Sequence, residues 1–209
     1  MTTETTEPKT RRGRASRGRI VEAAADLIFL RGVRGTSLDD VLAAAGVGKG
    51  QFYHYFADKD ALVRAVIARQ TERVLDGQRP ALDALDTWAA IAAWLDLLVA
   101  LQQGQGCVGG CPVGSLASEL ADQDEAARAD LVAAFDRWEG YLARGLDRMR
   151  ARGEVRAAAD PAVLATATMA SIQGGLLLAQ TRKDARVLRL ALDGAFAYLH
   201  TFAADTIAV

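Results

Sequence analysis

The chain has 209 residues, 51% of them hydrophobic, which suits one large packed domain or two modest ones, and its formal net charge is −1. No stretch approaches the eighteen or so consecutive apolar residues of a membrane span, and the polar opening MTTETTEPKT lacks the apolar core of a secretory signal, so a cytoplasmic protein is expected. Low-complexity tracts and internal repeats are absent from the sequence, as are a P-loop, a dinucleotide fingerprint, a metal-ligand spacing and a Ser/His/Asp arrangement. An enzyme is therefore not expected.

Charge is unevenly spread. Residues 1–75 hold thirteen Lys and Arg against nine Asp and Glu, a net of +4, and the remainder holds twelve against seventeen, a net of −5. Lys9, Arg11, Arg12, Arg14, Arg17 and Arg19 form a basic run in a segment rich in Thr, Glu, Pro and Gly that is not expected to fold alone. Residues 1–16 read as a flexible arm that either enters a minor groove, tracks phosphates, or remains a solvated tail.

Residues 36–59, TSLDDVLAAAGVGKGQFYHYFADK, read as two short helices joined by a glycine turn. Ser37 and Asp40 have the spacing of a capping box, and Leu38, Val41 and Leu42 form the stripe behind it. Gly46 stands where a helix end needs a residue tolerant of positive φ. A second helix is expected from about Gly48 to Tyr55, with Phe52 and Phe56 as core anchors and Lys49, Gln51, Tyr53 and His54 as the outward side chains that would touch DNA. An ordinary helical hairpin with a solvated polar face is the alternative.

Helices continue beyond residue 75, with breaks expected at 77–80, 104–112, 121–125, 153–161 and 182–184. Trp88, Ile91, Leu95 and Leu98, with Trp94 beside them, recur at helical spacing, as do Leu131, Phe135, Trp138 and Leu142; such stripes are either core or cavity lining. Cys107 and Cys111 allow three readings: structural or pocket cysteines, a thiol sensor, or a metal site, the last lacking further ligands. Asp160 before Pro161 is a helix start, Asp184 caps the final helix, and Leu188, Leu192, Ala195, Leu199 and Phe202 form its apolar stripe. Ala167, Ala170, Ser171, Gly174 and Gly175 keep the preceding helix slim, which suits close helix approach.

The run from Arg17 to Ile67 resembles the N-terminal domain of the TetR family of transcriptional repressors. It shares a first helix ending in a phenylalanine, the turn GVRGTS, the stretch AGVGKGQFYHYF and the helix start KDAL. Two later runs, GCPVGSLASEL at 110–120 and QGGLLLAQTRKD at 173–184, resemble the C-terminal domain of the LmrA/YxaF-like branch, which includes regulators responding to antibiotics and plant flavonoids. One departure stands at Gly48, where the family usually places a serine or threonine cap.

The resemblance implies an all-α protein. A three-helix helix-turn-helix DNA-binding domain would occupy 17–63, and a larger helical ligand-binding and dimerisation domain 64–209. Residues matching Thr36, Ser37, Tyr53, His54 and Lys59 would contact phosphates, and those matching Lys49, Gly50 and Gln51 would approach base edges. A pocket is expected from Trp88, Ile91, Trp94, Leu95, Leu98, Leu116, Phe135, Trp138, Met169, Ile172, Gln173 and Leu176, without cofactor or metal. The implied function is a homodimeric repressor, paired through its last two long helices, that binds a palindromic double-stranded operator and is released by an apolar or aromatic inducer. A thiol-sensing regulator using Cys107 and Cys111 is the rival.

Overall fold

The computed structural model describes Pro8 and residues 10–204, and among them it is helical almost throughout. The helices are α1 (Arg11–Arg31), α2 (Leu38–Ala45), α3 (Lys49–Tyr55), α4 (Lys59–Asp76), α5 (Trp88–Gly104), α6 (Pro112–Leu120), α7 (Glu125–Ala151), α8 (Pro161–Arg182) and α9 (Ala185–His200), with a single 3-10 turn at Ala81–Ala84. The chain forms two compact units, one comprising the chain up to Arg73 with Pro112–Ala134, the other Val74–Cys111 with Phe135 onward. The division differs from a simple boundary at residue 63, because α6 and the start of α7 pack with the N-terminal helices.

The first unit corrects the expected flexible arm. Lys9 lies outside the described residues, but Arg11 to Arg19 are helical. Thr10 caps the helix by accepting from the Gly13 N–H at 3.0 Å, and Ser16, Ile20, Val21, Ala24 and Ile28 continue one buried stripe back to its second turn. The basic side chains therefore stand on a helix that the core holds. Around that stripe close Val41 and Leu42 of α2, Phe52 and Tyr55 of α3, Phe56 beyond it, and Leu62, Val66 and Ile67 of α4. Salt bridges add α1 to α4: Glu22 accepts from Arg69 and Arg73, and Arg73 also reaches Asp26 at 2.7 Å.

α6 is joined to the turn after α1 by Glu119, whose carboxylate accepts the backbone N–H groups of Val33 and Arg34, each at 2.8 Å. Arg64 of α4 makes a matching pair with Asp130 of α7 at 2.7 Å. These contacts, formed between residues far apart in sequence, are the physical reason that Pro112–Ala134 belongs with the first unit.

In the second unit α8 and α9 are antiparallel neighbours joined by a tight turn. Asp160 and Asp184 cap them, the first accepting from the N–H groups of Ala162 and Val163 and the second from that of Arg186. Gly175 is required by their approach, since a Cβ there would lie 2.8 Å from Leu188 Cδ1 and 3.0 Å from the Ala191 Cβ. Gly174 has open space instead, so it faces away from that contact. By length and composition α8 could cross a membrane, its best eighteen-residue window averaging 1.6 in mean hydropathy, which the absence of a long unbroken apolar run did not anticipate. Thr166, Thr168, Ser171 and Gln173 interrupt that window. Its buried residues Leu164, Met169, Ile172 and Leu176 make it a core helix. An antiparallel bridge, Val155 to Ala203, ties the segment after α7 to the chain beyond α9.

Candidate nucleic-acid interface

The α2–turn–α3 geometry follows from local chemistry. Asp40 N–H donates to Ser37 Oγ at 3.1 Å while Ser37 N–H donates to Asp40 Oδ2 at 3.1 Å, a reciprocal capping box. Hydrogen bonds from the Ser37 side chain and backbone hold the Asp40 carboxyl below its usual pKa. Gly46 ends α2 in the left-handed region, with φ 65° and ψ 40°. Two residues later Gly48 opens α3 with no side-chain cap, as the missing hydroxyl dictates.

Helix α3 divides its faces cleanly. Phe52 and Tyr55 are buried, and the Phe52 ring stacks on Phe56 at 5.4 Å, a ring that in turn lies 5.1 Å from the Arg17 guanidinium. Lys49, Gly50, Gln51, Tyr53 and His54 are all exposed on the other side. Among the described residues Lys49 makes only an ion pair with Asp39, at 3.1 Å, between side chains 65% and 74% exposed; such a pair is worth about 0–1 kcal/mol. Tyr53 is 59% exposed and leans its ring edge-on against Phe52. A Cβ added at Gly50 would meet nothing within 4 Å. No packing inside the chain therefore calls for glycine at that position.

Two expected phosphate ligands are placed otherwise. Thr36 is fully buried and its hydroxyl donates to the Gly32 carbonyl at 2.8 Å, closing the turn after α1. Lys59 is half-buried and donates to the carbonyls of Val33 and Thr36 at 2.8 and 2.7 Å. It straps the start of α4 to that turn, and two of its three N–H groups are used there. Ser37 remains exposed, though its hydroxyl also serves the capping box by donating to Asp40 at 2.6 Å. Of the basic run named from the sequence, Arg11, Arg12, Arg14 and Arg19 are exposed along the first turns of α1; what pattern reading missed is the contact of that helix with α3, where Gln51 donates to Ser16.

The residues expected around an effector fall as follows. Leu116 is buried in the first unit. In the second, Ile91, Trp94, Leu95 and Leu98 of α5, Trp138 of α7, and Met169, Ile172 and Leu176 of α8 are buried, while Phe135 and Gln173 are half-buried. Gln173 Nε2 donates weakly to Met169 Sδ at 3.5 Å. Trp88 departs from the expectation: its indole is half-buried against Phe196 and His200 of α9, 6.3 and 4.8 Å between centroids, so it packs at the α5–α9 edge. A polar centre that the sequence did not announce is Gln78. Its Oε1 accepts the indole N–H of Trp94 at 2.8 Å and of Trp138 at 3.2 Å, and its Nε2 donates to the Val74 carbonyl at 2.9 Å.

Cys107 and Cys111 are not joined in a disulfide and are buried, 4% and 7% exposed. A sensing thiol has to be reached by its oxidant, so burial removes the main support for the redox alternative. No group of three or more metal-ligating side chains occurs among the described residues.

Residues 20–66 match the family described as bacterial regulatory proteins, tetR family, and residues 87–195 match the tetracyclin repressor-like C-terminal domain. The chain is 32% identical over 185 residues to an uncharacterized HTH-type transcriptional regulator in the lacX 3′ region of Lactococcus lactis subsp. lactis, covering 86% of this chain and 91% of that one. Identity is 28% over 177 residues to the HTH-type transcriptional regulator YxaF of Bacillus subtilis strain 168, covering 84% and 90%. The crystal structure of a TetR transcriptional regulator from Chloroflexus aurantiacus superposes with a TM-score of 0.76 at 28% identity, over 93% of this chain and 98% of that one.

Proposed function

The chain belongs to the TetR family of bacterial transcriptional regulators, and on that premise we propose that it is a homodimeric repressor released from its operator by a small apolar or aromatic inducer. The observation that carries the DNA-binding part is the face of α3, where Lys49, Gly50, Gln51, Tyr53 and His54 stand exposed over a rigid aromatic base. Lysine donates to guanine O6 or N7, and glutamine pairs with adenine through two hydrogen bonds. Tyr53, His54, Ser37 and the basic first turns of α1 suit phosphate oxygens, which fix register without carrying sequence. Two such heads would engage half-sites about 34–36 Å apart.

The dimer would form on the outer faces of α8 and α9. Val163, Leu177 and Leu178 of α8 and Leu190 and Tyr198 of α9 are exposed, Leu190 to 72%, beside the open Gly174. Apolar side chains concentrated on neighbouring helices favour a covering partner, and a second copy offers the same pair of helices to complete a four-helix bundle. The inducer would enter among the apolar side chains of α5, α7 and α8. It would act through its differential affinity for two arrangements of the reading heads. Action on DNA places the protein in the cytoplasm.

Fluorescence anisotropy with the DNA upstream of the protein's own gene, against a scrambled duplex at one fixed salt concentration, tests the reading. Tight and selective binding is expected. Equal, weak binding to both duplexes, with no selective site recovered from a random library, would sink it.

A further inference from the structure

We propose that Ser16 is a positioning residue for sequence reading, holding the Gln51 carboxamide in the orientation with which α3 meets a base edge. The inference rests on the reading of Gln51 as a base contact. Gln51 sits at the third position of α3 and is exposed, and a glutamine free in solvent surrenders rotamer freedom when it docks. Here the side chain is already held. Its Nε2 donates to Ser16 Oγ on α1, thirty-five residues earlier in the chain.

Ser16 is itself only 4% exposed, fixed in the buried stripe of α1. The same Oγ accepts from Arg19 Nη2 at 3.3 Å, so both lone pairs of the hydroxyl oxygen are occupied by donors. The nitrogen end of the Gln51 amide is thereby turned toward α1. Its oxygen and second N–H remain for a base, an acceptor beside a donor, which is the pair that the adenine N6–H and N7 edge takes. Ser16, Arg19, Gln51 and His54 line one notch between the first turns of α1 and α3. Lys49, by contrast, is tethered only by its exposed pair with Asp39, so the two base-reading side chains differ in how far they are organised before DNA arrives.

The test is selection by the full-length protein from a duplex library randomised across a two-fold symmetric site, at one fixed salt concentration. Wild type should select one base pair in each half-site that Gln51→Ala no longer selects. Ser16→Ala should weaken selection at that same base pair about three- to tenfold while affinity for unselected duplex stays within about twofold. Ser16→Thr, which keeps the hydroxyl, should restore the preference, and Ser16→Ala should add nothing in a Gln51→Ala background. Full selectivity in Ser16→Ala, with loss of selectivity in Gln51→Ala, would overturn the positioning role and leave Gln51 as the reader. Full selectivity in Gln51→Ala would overturn the reader itself. A uniform loss of affinity in Ser16→Ala that persists in the Gln51→Ala background would make Ser16 a structural residue of α1 and equally defeat the proposal.

Discussion

Glu119 of α6 holds Val33, the second residue past the end of α1, by a 2.8 Å hydrogen bond to the backbone N–H, and its other carboxylate oxygen takes the N–H of Arg34. A carboxylate beside a helix C-terminus meets the negative end of the dipole. Two charge-assisted bonds to N–H groups outside the helix offset that repulsion. Glu119→Ala removes both acceptors at once and should destabilise the protein by about 1–3 kcal/mol, read as a lower urea midpoint. Glu119→Gln keeps one acceptor and turns an amide toward the second N–H, so it should lose a similar amount; a Gln variant as stable as wild type would show that the charge and the second acceptor are both idle.

Gly50 separates folding from binding. Nothing within 4 Å of its missing Cβ belongs to this chain, and alanine in a helix is favoured over glycine by about 1 kcal/mol. Gly50→Ala should therefore melt at the same temperature as wild type or higher. If the glycine is there to let a base pair come close, operator affinity should nonetheless fall, by about tenfold, in an anisotropy titration. A variant that is more stable and binds equally well would remove Gly50 from the interface.

The elements that sequence pattern placed well are those fixed by signals a few residues long. Ser37 with Asp40, Gly46, Asp160 with Pro161, and Asp184 each complete their hydrogen bonds within one helical turn, so their spacing alone reveals them. What escaped depends on partners far away in sequence. Lys59 reaches carbonyls up to twenty-six residues distant, Glu119 reaches N–H groups eighty-five and eighty-six residues distant, and Ser16 meets Gln51 thirty-five residues on. The family resemblance assigns Thr36 to a phosphate, and only the closed turn shows its hydroxyl donating to the Gly32 carbonyl. The start of α1 was obscured by composition: an arginine-rich segment reads as solvated chain until Ser16 and Ile20 are seen to extend a buried stripe.

Acid should act on the α1–α4 pairing. Burial raises the Glu22 pKa, but hydrogen bonds and charge from Arg69 and Arg73 outweigh it, and the net shift is downward. A carboxylate with a depressed folded-state pKa contributes stability that is present above its unfolded value and is lost as pH falls through the folded one. Glu22→Gln should therefore be less stable than wild type near neutrality, and the difference should shrink as pH drops below the ordinary glutamate range. Urea midpoints measured from neutral to strongly acidic pH check this, and a gap between the two proteins that stays constant would reject it.

The outer face of α8 and α9 makes a direct prediction about assembly. Leu177 and Leu190 are 61% and 72% exposed and contribute little to the chain's own core, so a charge at either position costs little in folding. In a homodimer each substitution appears twice, and burying unpaired carboxylates is strongly unfavourable. Leu177→Glu and Leu190→Glu should sediment as folded monomers at concentrations where wild type is dimeric, and should lose operator affinity because a single head engages only one half-site. Wild type that sediments as a monomer would reject the homodimer, and variants that stay dimeric would place the interface elsewhere.

Gln78 gives the second unit its most exacting polar arrangement. The side chain is 3% exposed, and its carbonyl oxygen spends both lone pairs on the indole N–H groups of Trp94 and Trp138 while its N–H reaches the Val74 carbonyl. Gln78→Leu keeps the volume but strands two buried indole donors, each costing about 1–3 kcal/mol. The penalty falls on both tryptophans together, so Gln78→Leu should lose about 2–6 kcal/mol of stability. Trp94→Phe, which removes one donor with its need for a partner, should cost less than Gln78→Leu. Tryptophan emission offers a second readout, because both rings lose a fixed hydrogen bond in Gln78→Leu while Trp88, at the α5–α9 edge, does not. Should an inducer bind among α5, α7 and α8 by offering its own acceptor to these indoles, it would raise the stability of Gln78→Leu more than that of wild type. Equal stabilisation of the two proteins would show that the indole N–H groups stay committed to Gln78 when the effector is bound.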